Sequence, residues 1–417
     1  MRSHRVVVTG YGGICSLGTN FDDIWRAVLA KKMGYTIWEN PGKEIKTTIF
    51  GHIRDALSVT QFSKRIIKNT PRFARLGLIA TDEAMTMAFG ESQNFTDYYN
   101  EYDCGVIFGT GWGGFDDAAA NYYAYQDVKA PSIQNCFHSM PSIGTAAITV
   151  NWQFKGYQNT PVAACASSNI AIGDAYLKIK NGQAKMMIAG GGESTMGSFA
   201  IWSIDVLSAL TKEKVDLTKA CCPFSLDRSG FILSEGAAVV CLEDLETAQK
   251  RGAPIFGEII GYANYSDAYV NLTAPAPDLH SRTLTTQKAI EYANLNVQDI
   301  DYINAHGTST PMNDLNETQV IKQVFGQRAY QIPISSTKSY TGHLIGAAGA
   351  METLFCLKSL TDGVIPATIN LNRPDPDCDL NYVPNEHLFK QNLNHVLNVN
   401  YGFGGANSCL VIERYQP

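Results

Sequence analysis

Two passages of the chain read as helices with small residues on every side. One runs from Ala166 to Tyr176 within "PVAACASSNIAIGDAY", the other from Leu344 to Leu357 within "HLIGAAGAMETLFCL". A helix without a polar face belongs among other elements and not on a surface. Each passage follows a nearly all-apolar, strand-like run and a glycine-bearing loop, so the two halves of the chain echo one another. The expectation is two similar halves packed around central helices, divided as residues 1–256 and 257–417.

The rest of the chain alternates in the same way. Strand-like runs stand at 104–111, 184–194, 236–244, 301–308, 332–339 and 408–415, with helical patterns at 72–89, 282–295 and 315–326 between them. Alternation of this kind implies α/β layers. The opening "HRVVVTGYGGICSLG" reads as a buried strand followed by a glycine-rich turn. It is not a dinucleotide fingerprint, because Cys15 stands where the third glycine of G-x-G-x-x-G belongs. "NLTAPAPDLH" (271–280) is a proline-rich loop, not a tether.

The 417 residues carry 45% hydrophobic and 17% charged side chains, enough for a large core, and a net charge of −6 that offers phosphates no basic field. No nucleic-acid partner is expected. The ten cysteines are scattered without a C-x-x-C pair, and His387 and His395 are too far apart for a short zinc-finger pair, so reduced thiols, no metal and a cytoplasmic protein are expected. No apolar run of 18 residues suggests a membrane span.

Cys165 sits where an apolar run becomes a helix, and a helix N-terminus favours a thiolate. Alone, it reads more readily as a small core residue than as a nucleophile. Two histidines change the weighing: His306 in "NAHGTSTPMND" and His343 in "SSTKSYTGHLIGAAGAMETL", both among glycines and hydroxyls.

With these motifs in order, and with "GFGGAN" after them, the chain resembles the beta-ketoacyl-acyl-carrier-protein synthases, specifically the elongating type II ketosynthases of fatty acid and polyketide assembly. The resemblance implies a thiolase-like α/β fold of two related halves in an αβαβα arrangement. It implies a Cys-His-His site at Cys165, His306 and His343, with Lys338 as the motif lysine and Glu352 as the acidic residue beyond it. Lys338 is read either as a direct participant or as the ion-pair partner of Glu352 that holds His343 in place. Phe403 matches a gate whose amide joins that of Cys165 in an oxyanion hole, with Gly404 in the same loop. Thr308, Thr310 and Thr273 match positions that meet a phosphopantetheine arm. The reaction implied is decarboxylative condensation of an acyl group on Cys165 with a malonyl thioester. No coenzyme is bound; the phosphopantetheine arrives on an acyl-carrier protein, and the assembly is a homodimer or a heterodimer with a ketosynthase-like chain length factor.

Some positions depart from that pattern. Trp112 in "GTGWGGF" stands where a smaller residue lines the acyl tunnel, Ser229 replaces an acidic residue, and Tyr401 adds bulk before the gate. Trp112 and Tyr401 favour a polyketide or polyene pathway over housekeeping fatty acid elongation. Lys64, Arg65, Lys68 and Arg72, with Arg75, form a basic cluster suited to an acidic carrier protein. Other readings fail on particular residues. A non-catalytic chain length partner would lack Cys165, and a thiolase would need a second cysteine in the "GFGGAN" loop. A starter ketosynthase would carry asparagine at position 343, and a G-x-S-x-G hydrolase fails at Met196.

Overall fold

The computed structural model describes residues 4–39, 41–127 and 134–416. Its frame is a ten-stranded sheet built from β1 (Val6–Cys15), β2 (Cys104–Gly109), β3 (Gln158–Asn159), β4 (Met186–Glu193) and β5 (Gly236–Asp244), then β6 (Gly257–Ser266), β7 (Tyr302–Asn304), β8 (Ile334–Ser335), β9 (His395–Gly402) and β10 (Ala406–Glu413). The spatial order is β8-β7-β9-β10-β6-β1-β5-β4-β2-β3. Counted from its own first strand, each set of five therefore runs third, second, fourth, fifth, first. The pairings repeat as well: the second strand is parallel to the third and fourth, and the fifth is antiparallel to the fourth and first. The two sets meet where Val6–Val8 of β1 pair antiparallel with Gly257–Ile259 of β6.

The two small-residue passages are helices α2 (Ser167–Lys180) and α5 (Ala348–Asp362), each buried along nearly its whole length. Both touch strands of the two sets and each other, so they form the central layer. Outer layers come from α1 (Arg72–Phe89) on one set, and from α3 (His280–Tyr292) with α4 (Pro311–Phe325) on the other. This is the thiolase-like, five-layer α/β arrangement. No helix among the described residues is long and apolar enough to cross a membrane.

One local expectation changes. The glycine-rich stretch after Val8 is not a turn; β1 continues through it to Cys15. Its glycines let α1 lie against the strand at backbone distance, since a Cβ on Gly10 would stand 2.2 Å from the Ala84 carbonyl oxygen and one on Gly12 2.1 Å from that of Ala80.

Candidate active site

Cys165 lies in a single 3₁₀ turn, Ala164–Ala166, that runs straight into α2. Phe403 follows β9, and Gly402 brings that loop against the cysteine turn: a Cβ there would lie 2.4 Å from the Ala163 carbonyl oxygen. The close approach brings the backbone N–H groups of Phe403 and of Cys165 itself to the Cys165 sulfur, where they favour the thiolate. Two convergent amides at a nucleophile are the arrangement that later receives a tetrahedral oxyanion. Burial pushes the Cys165 thiol up to about 12, against the opposing charge of Lys338 and the two amides. The resting group is therefore the thiol.

His306 follows β7, and its loop is held by a buried carboxylate on α4. The His306 and Gly307 amides donate to Glu317 at 2.7 and 2.8 Å. His343 is pinned through its own backbone, its N–H donating to the Ile232 carbonyl at 2.7 Å and its carbonyl accepting from Ser234 N–H at 3.0 Å. Sγ of Cys165 and one ring nitrogen from each histidine lie within 4.8 Å of one another.

The hydrogen bonds around the two rings fix their tautomers. His343 Nδ1 accepts the Ile345 N–H at 3.1 Å, so its proton resides on Nε2, which is buried and has no partner in the chain. Lys338 Nζ, 3.4 Å from His306 Nδ1, donates there and places that proton on Nε2 as well. Burial, reinforced by the Lys338 charge, drives both imidazoles well below their ordinary pKa. Two neutral N–H donors converge beside a thiol.

Lys338 is buried and paired with Glu352 Oε1 at 2.5 Å, while Glu352 Oε2 accepts from Asn400 Nδ2 at 2.6 Å. The ion pair read from the sequence is present, but the histidine it reaches is His306; His343 is held by backbone contacts instead. Sulfur and imidazole nitrogen are also zinc-type donors. The nearby carboxylates that would complete such a site are engaged, Glu352 by Lys338 and Glu317 by the 306–307 amides.

These three side chains form the floor of a pocket of about 330 Å³. Thr273, Thr308 and Thr310 line it, together with Ser229, Phe403 and Tyr401. The Thr308 and Thr310 hydroxyls are 2.9 Å apart. Gly404 is not among the lining residues; its N–H donates to the Leu272 carbonyl at 2.7 Å and ties the gate to the Thr273 loop. Trp112 also stands outside the open pocket. It packs on the apolar cluster that contains Cys165, Met196, Ile201 and Ile345, with Phe403 on the same cluster.

The basic cluster divides. Lys64, Arg65 and Lys68 are exposed on the short helix Lys64–Lys68. Arg72 does not join them: its guanidinium grips the buried Glu235 through two bonds of 2.7 Å, so its charge is spent inside the fold. Arg75 caps the preceding turn by donating to the carbonyls of Thr70 and Ile67. Glu317, Asn400 and the pocket-lining Arg282 were not singled out from sequence: Glu317 and Arg282 sit in segments that read only as helices, and Asn400 in a stretch that did not read as an element.

Comparison with known proteins agrees with this geometry. Residues 3–248 match the beta-ketoacyl synthase N-terminal domain model and residues 256–372 the C-terminal domain model. The 3-oxoacyl-[acyl-carrier-protein] synthase 2 of Synechocystis sp. is 36% identical over 100% of this chain and 99% of its own length. That of Coxiella burnetii is 36% identical over 99% of each. Among solved structures, a beta-ketoacyl synthase from Burkholderia phymatum superposes with a TM-score of 0.90 at 28% identity, covering 99% of this chain and 100% of that one. A ketosynthase in complex with its type II polyketide acyl-carrier protein gives 0.88 at 28% identity with the same coverage. The two family models together span most of the chain and the relatives match it over its full length, so the chain belongs to the beta-ketoacyl synthase family.

Proposed function

We propose that the chain is an elongating ketosynthase that condenses an acyl group held on Cys165 with a malonyl thioester on an acyl-carrier protein. The observation that carries this reading is the convergence of the Cys165 sulfur with two imidazoles whose Nε2–H groups are free to donate. In the first half-reaction Cys165 attacks the acyl thioester, the oxyanion rests on the Phe403 and Cys165 amides, and the cysteine proton leaves on the departing pantetheine sulfur. In the second, the malonyl C–C bond breaks and carbon dioxide departs. The electron pair moves onto the thioester oxygen, held by His306 and His343. The resulting carbanion attacks the acyl carbonyl, a new C–C bond forms, and Cys165 leaves as thiolate. Lys338 and Glu352 keep His306 in its donating tautomer, and Phe403 carries the movable amide.

The arm of the carrier protein fits the pocket wall of Thr273, Thr308 and Thr310, and Lys64, Arg65 and Lys68 form the basic surface for the acidic carrier. No bound coenzyme is needed beyond that arm. A ketosynthase-like partner, identical or a chain length factor, suits the exposed aromatic face of Tyr122, Tyr123 and Tyr125 on the helix Phe115–Gln126 and the unpaired edge of β3. The repeats are taken as 1–256 and 257–417, and ten free thiols, nine of them buried, suit a reducing cytoplasm.

For the pathway, full-length relatives named 3-oxoacyl-[acyl-carrier-protein] synthase 2 support straight elongation. A second reading, polyketide or polyene assembly, is supported by the bulk of Trp112 beside Cys165 and by likeness to the ishigamide ketosynthase/chain length factor at 26% identity and a TM-score of 0.90. Intact mass spectrometry of the chain with short acyl-carrier and malonyl-carrier protein tests both. Acylation lost in Cys165→Ala with one two-carbon extension supports fatty acid elongation, and several unreduced extensions support the polyketide reading. No acylation with any acyl group removes the ketosynthase assignment.

A further inference from the structure

One charged group in the pocket wall has no role in the chemistry above. Arg282, on the first turn of α3, lines the pocket and is only 6% exposed. Its Nη1 donates to Asn313 Oδ1 at 3.1 Å and Asn316 Oδ1 at 2.9 Å, which anchors one end of the guanidinium to α4. Its plane lies over the Tyr401 ring at 3.9 Å, and that ring in turn meets His306 edge-on at 5.7 Å between centroids. The other two nitrogens are under-used. Nε is buried without a hydrogen-bond partner, its nearest carboxylate oxygen being Asp267 Oδ2 at 3.9 Å, and Nη2 has no hydrogen bond within the chain among the described residues.

Asp267 pairs with this cation only at 3.9 Å, beyond hydrogen-bond reach, and a buried polar atom without a hydrogen-bond partner calls for an explanation. Neutral asparagine oxygens orient the fork, and Asp267 balances its charge without filling its donors. The unfilled donors belong to a group whose planar fork fits a carboxylate through two parallel bonds. On the ketosynthase reading, on which this inference rests, one reactant enters this pocket with a free carboxylate: the extender thioester, whose carbonyl oxygen the neighbouring histidines hold.

We propose that Arg282 is the counter-ion for that carboxylate, the group that tells a malonyl-class extender from a plain acyl thioester. The contact is made in the bound ground state and ends as the carboxylate becomes carbon dioxide. Its loss therefore raises KM for the extender and leaves kcat for decarboxylation level or higher.

The test measures two half-reactions of Arg282→Gln. Carbon dioxide release from malonyl-pantetheine, which carries no phosphate, is compared with release from malonyl-phosphopantetheine, and both with acylation of Cys165 by acyl-carrier protein. The expected result is a KM about tenfold or more higher for both malonyl substrates, kcat undiminished, and acylation altered less than about twofold. Arg282→Lys, which keeps the charge without the fork, gives an intermediate KM at the parent's thermal midpoint. Equal losses in both half-reactions would mean a purely structural residue, and a penalty confined to the phosphorylated substrate would mean a site for the arm's phosphate; either overturns the proposal. A parent protein that neither acylates nor releases carbon dioxide sinks the ketosynthase reading itself.

Discussion

Replacing Lys338 with methionine separates the two chemistries of the site. The side chain is buried, and its ammonium bridges Glu352 Oε1 and His306 Nδ1. Without it, a buried carboxyl group keeps only Asn400 as partner. Breaking a buried pair costs about 3–5 kcal/mol, and the lower end applies because burial already raises the Glu352 pKa and the group can take a proton. In a chain of this size that corresponds to a fall in Tm of roughly 3–6 °C. The rate effect is larger and selective. His306 loses the donor that fixes its tautomer, so the ring can present a lone pair to the developing enolate, and one missing oxyanion donor costs on the order of 10²–10³. In the proposed mechanism acyl transfer uses the Phe403 and Cys165 amides, which this change leaves in place. It suffers only through the lost Lys338 charge, which favoured the thiolate, and so falls much less than decarboxylation. The assay is carbon dioxide release from malonyl-carrier protein beside intact-mass acylation of Cys165. Equal losses in both, or an untouched decarboxylation rate, would refute the tautomer argument.

The raised thiol predicts an unusual pH profile: with Cys165 at about 12, the reactive thiolate is about 10⁻⁵ of the population at pH 7 and grows tenfold per pH unit. Iodoacetamide labelling of Cys165 should rise with unit slope from pH 7 to 10, and a plateau near pH 8.5 would contradict the burial argument. Gly402→Ala should give the reverse of the Lys338 result, because a Cβ 2.4 Å from the Ala163 oxygen pries the gate amide from the sulfur. Acylation should fall by about 10²–10³ while carbon dioxide release falls less. Charge reversal at Lys64, Arg65 and Lys68 together should raise KM for carrier-borne substrates, weaken its salt dependence and leave Tm unchanged. Arg72→Ala should do the opposite, lowering stability by about 2–3 kcal/mol through the stranded Glu235 while KM holds.

The residues legible in the sequence share a physical reason. Cys165, His306, Lys338 and His343 lie at passages between strand and helix, where glycines and hydroxyls mark close backbone approaches. Their supports were not legible. Arg282 and Glu317 lie in segments read as ordinary amphipathic helices, yet α3 buries Arg282, Thr283, Thr285 and Thr286, and α4 buries Asn313, Asp314, Asn316 and Glu317. Polar faces turned inward reverse the usual sign of the pattern, and only the packed structure shows that two outer helices press theirs together beneath the pocket. β6 and β9 were likewise missed as strands, because Gly257, Gly261 and three asparagines (Asn394, Asn398 and Asn400) interrupt the apolar runs in that part of the chain.

The repeat explains why one site exists and not two. In each half a non-glycine residue with positive φ, Ala164 at 48° and Ile345 at 49°, starts a 3₁₀ turn that leads into the central helix. Cys165 follows the first and Gly346 the second. In the second copy the pit is filled: Glu193 accepts from Gly111 N–H at 2.6 Å, Trp112 N–H at 3.3 Å and Gly346 N–H at 3.3 Å, and burial pushes this carboxyl group up to about 7. A side chain at position 346 has no room, since its Cβ would stand 2.4 Å from the Gly111 nitrogen. In the working site the amides of the loop after the second strand are held instead by Glu317, which comes from α4 and not from the end of the fourth strand. The nucleophile therefore comes from the first half and both donors from the second, and neither half could carry out the condensation alone.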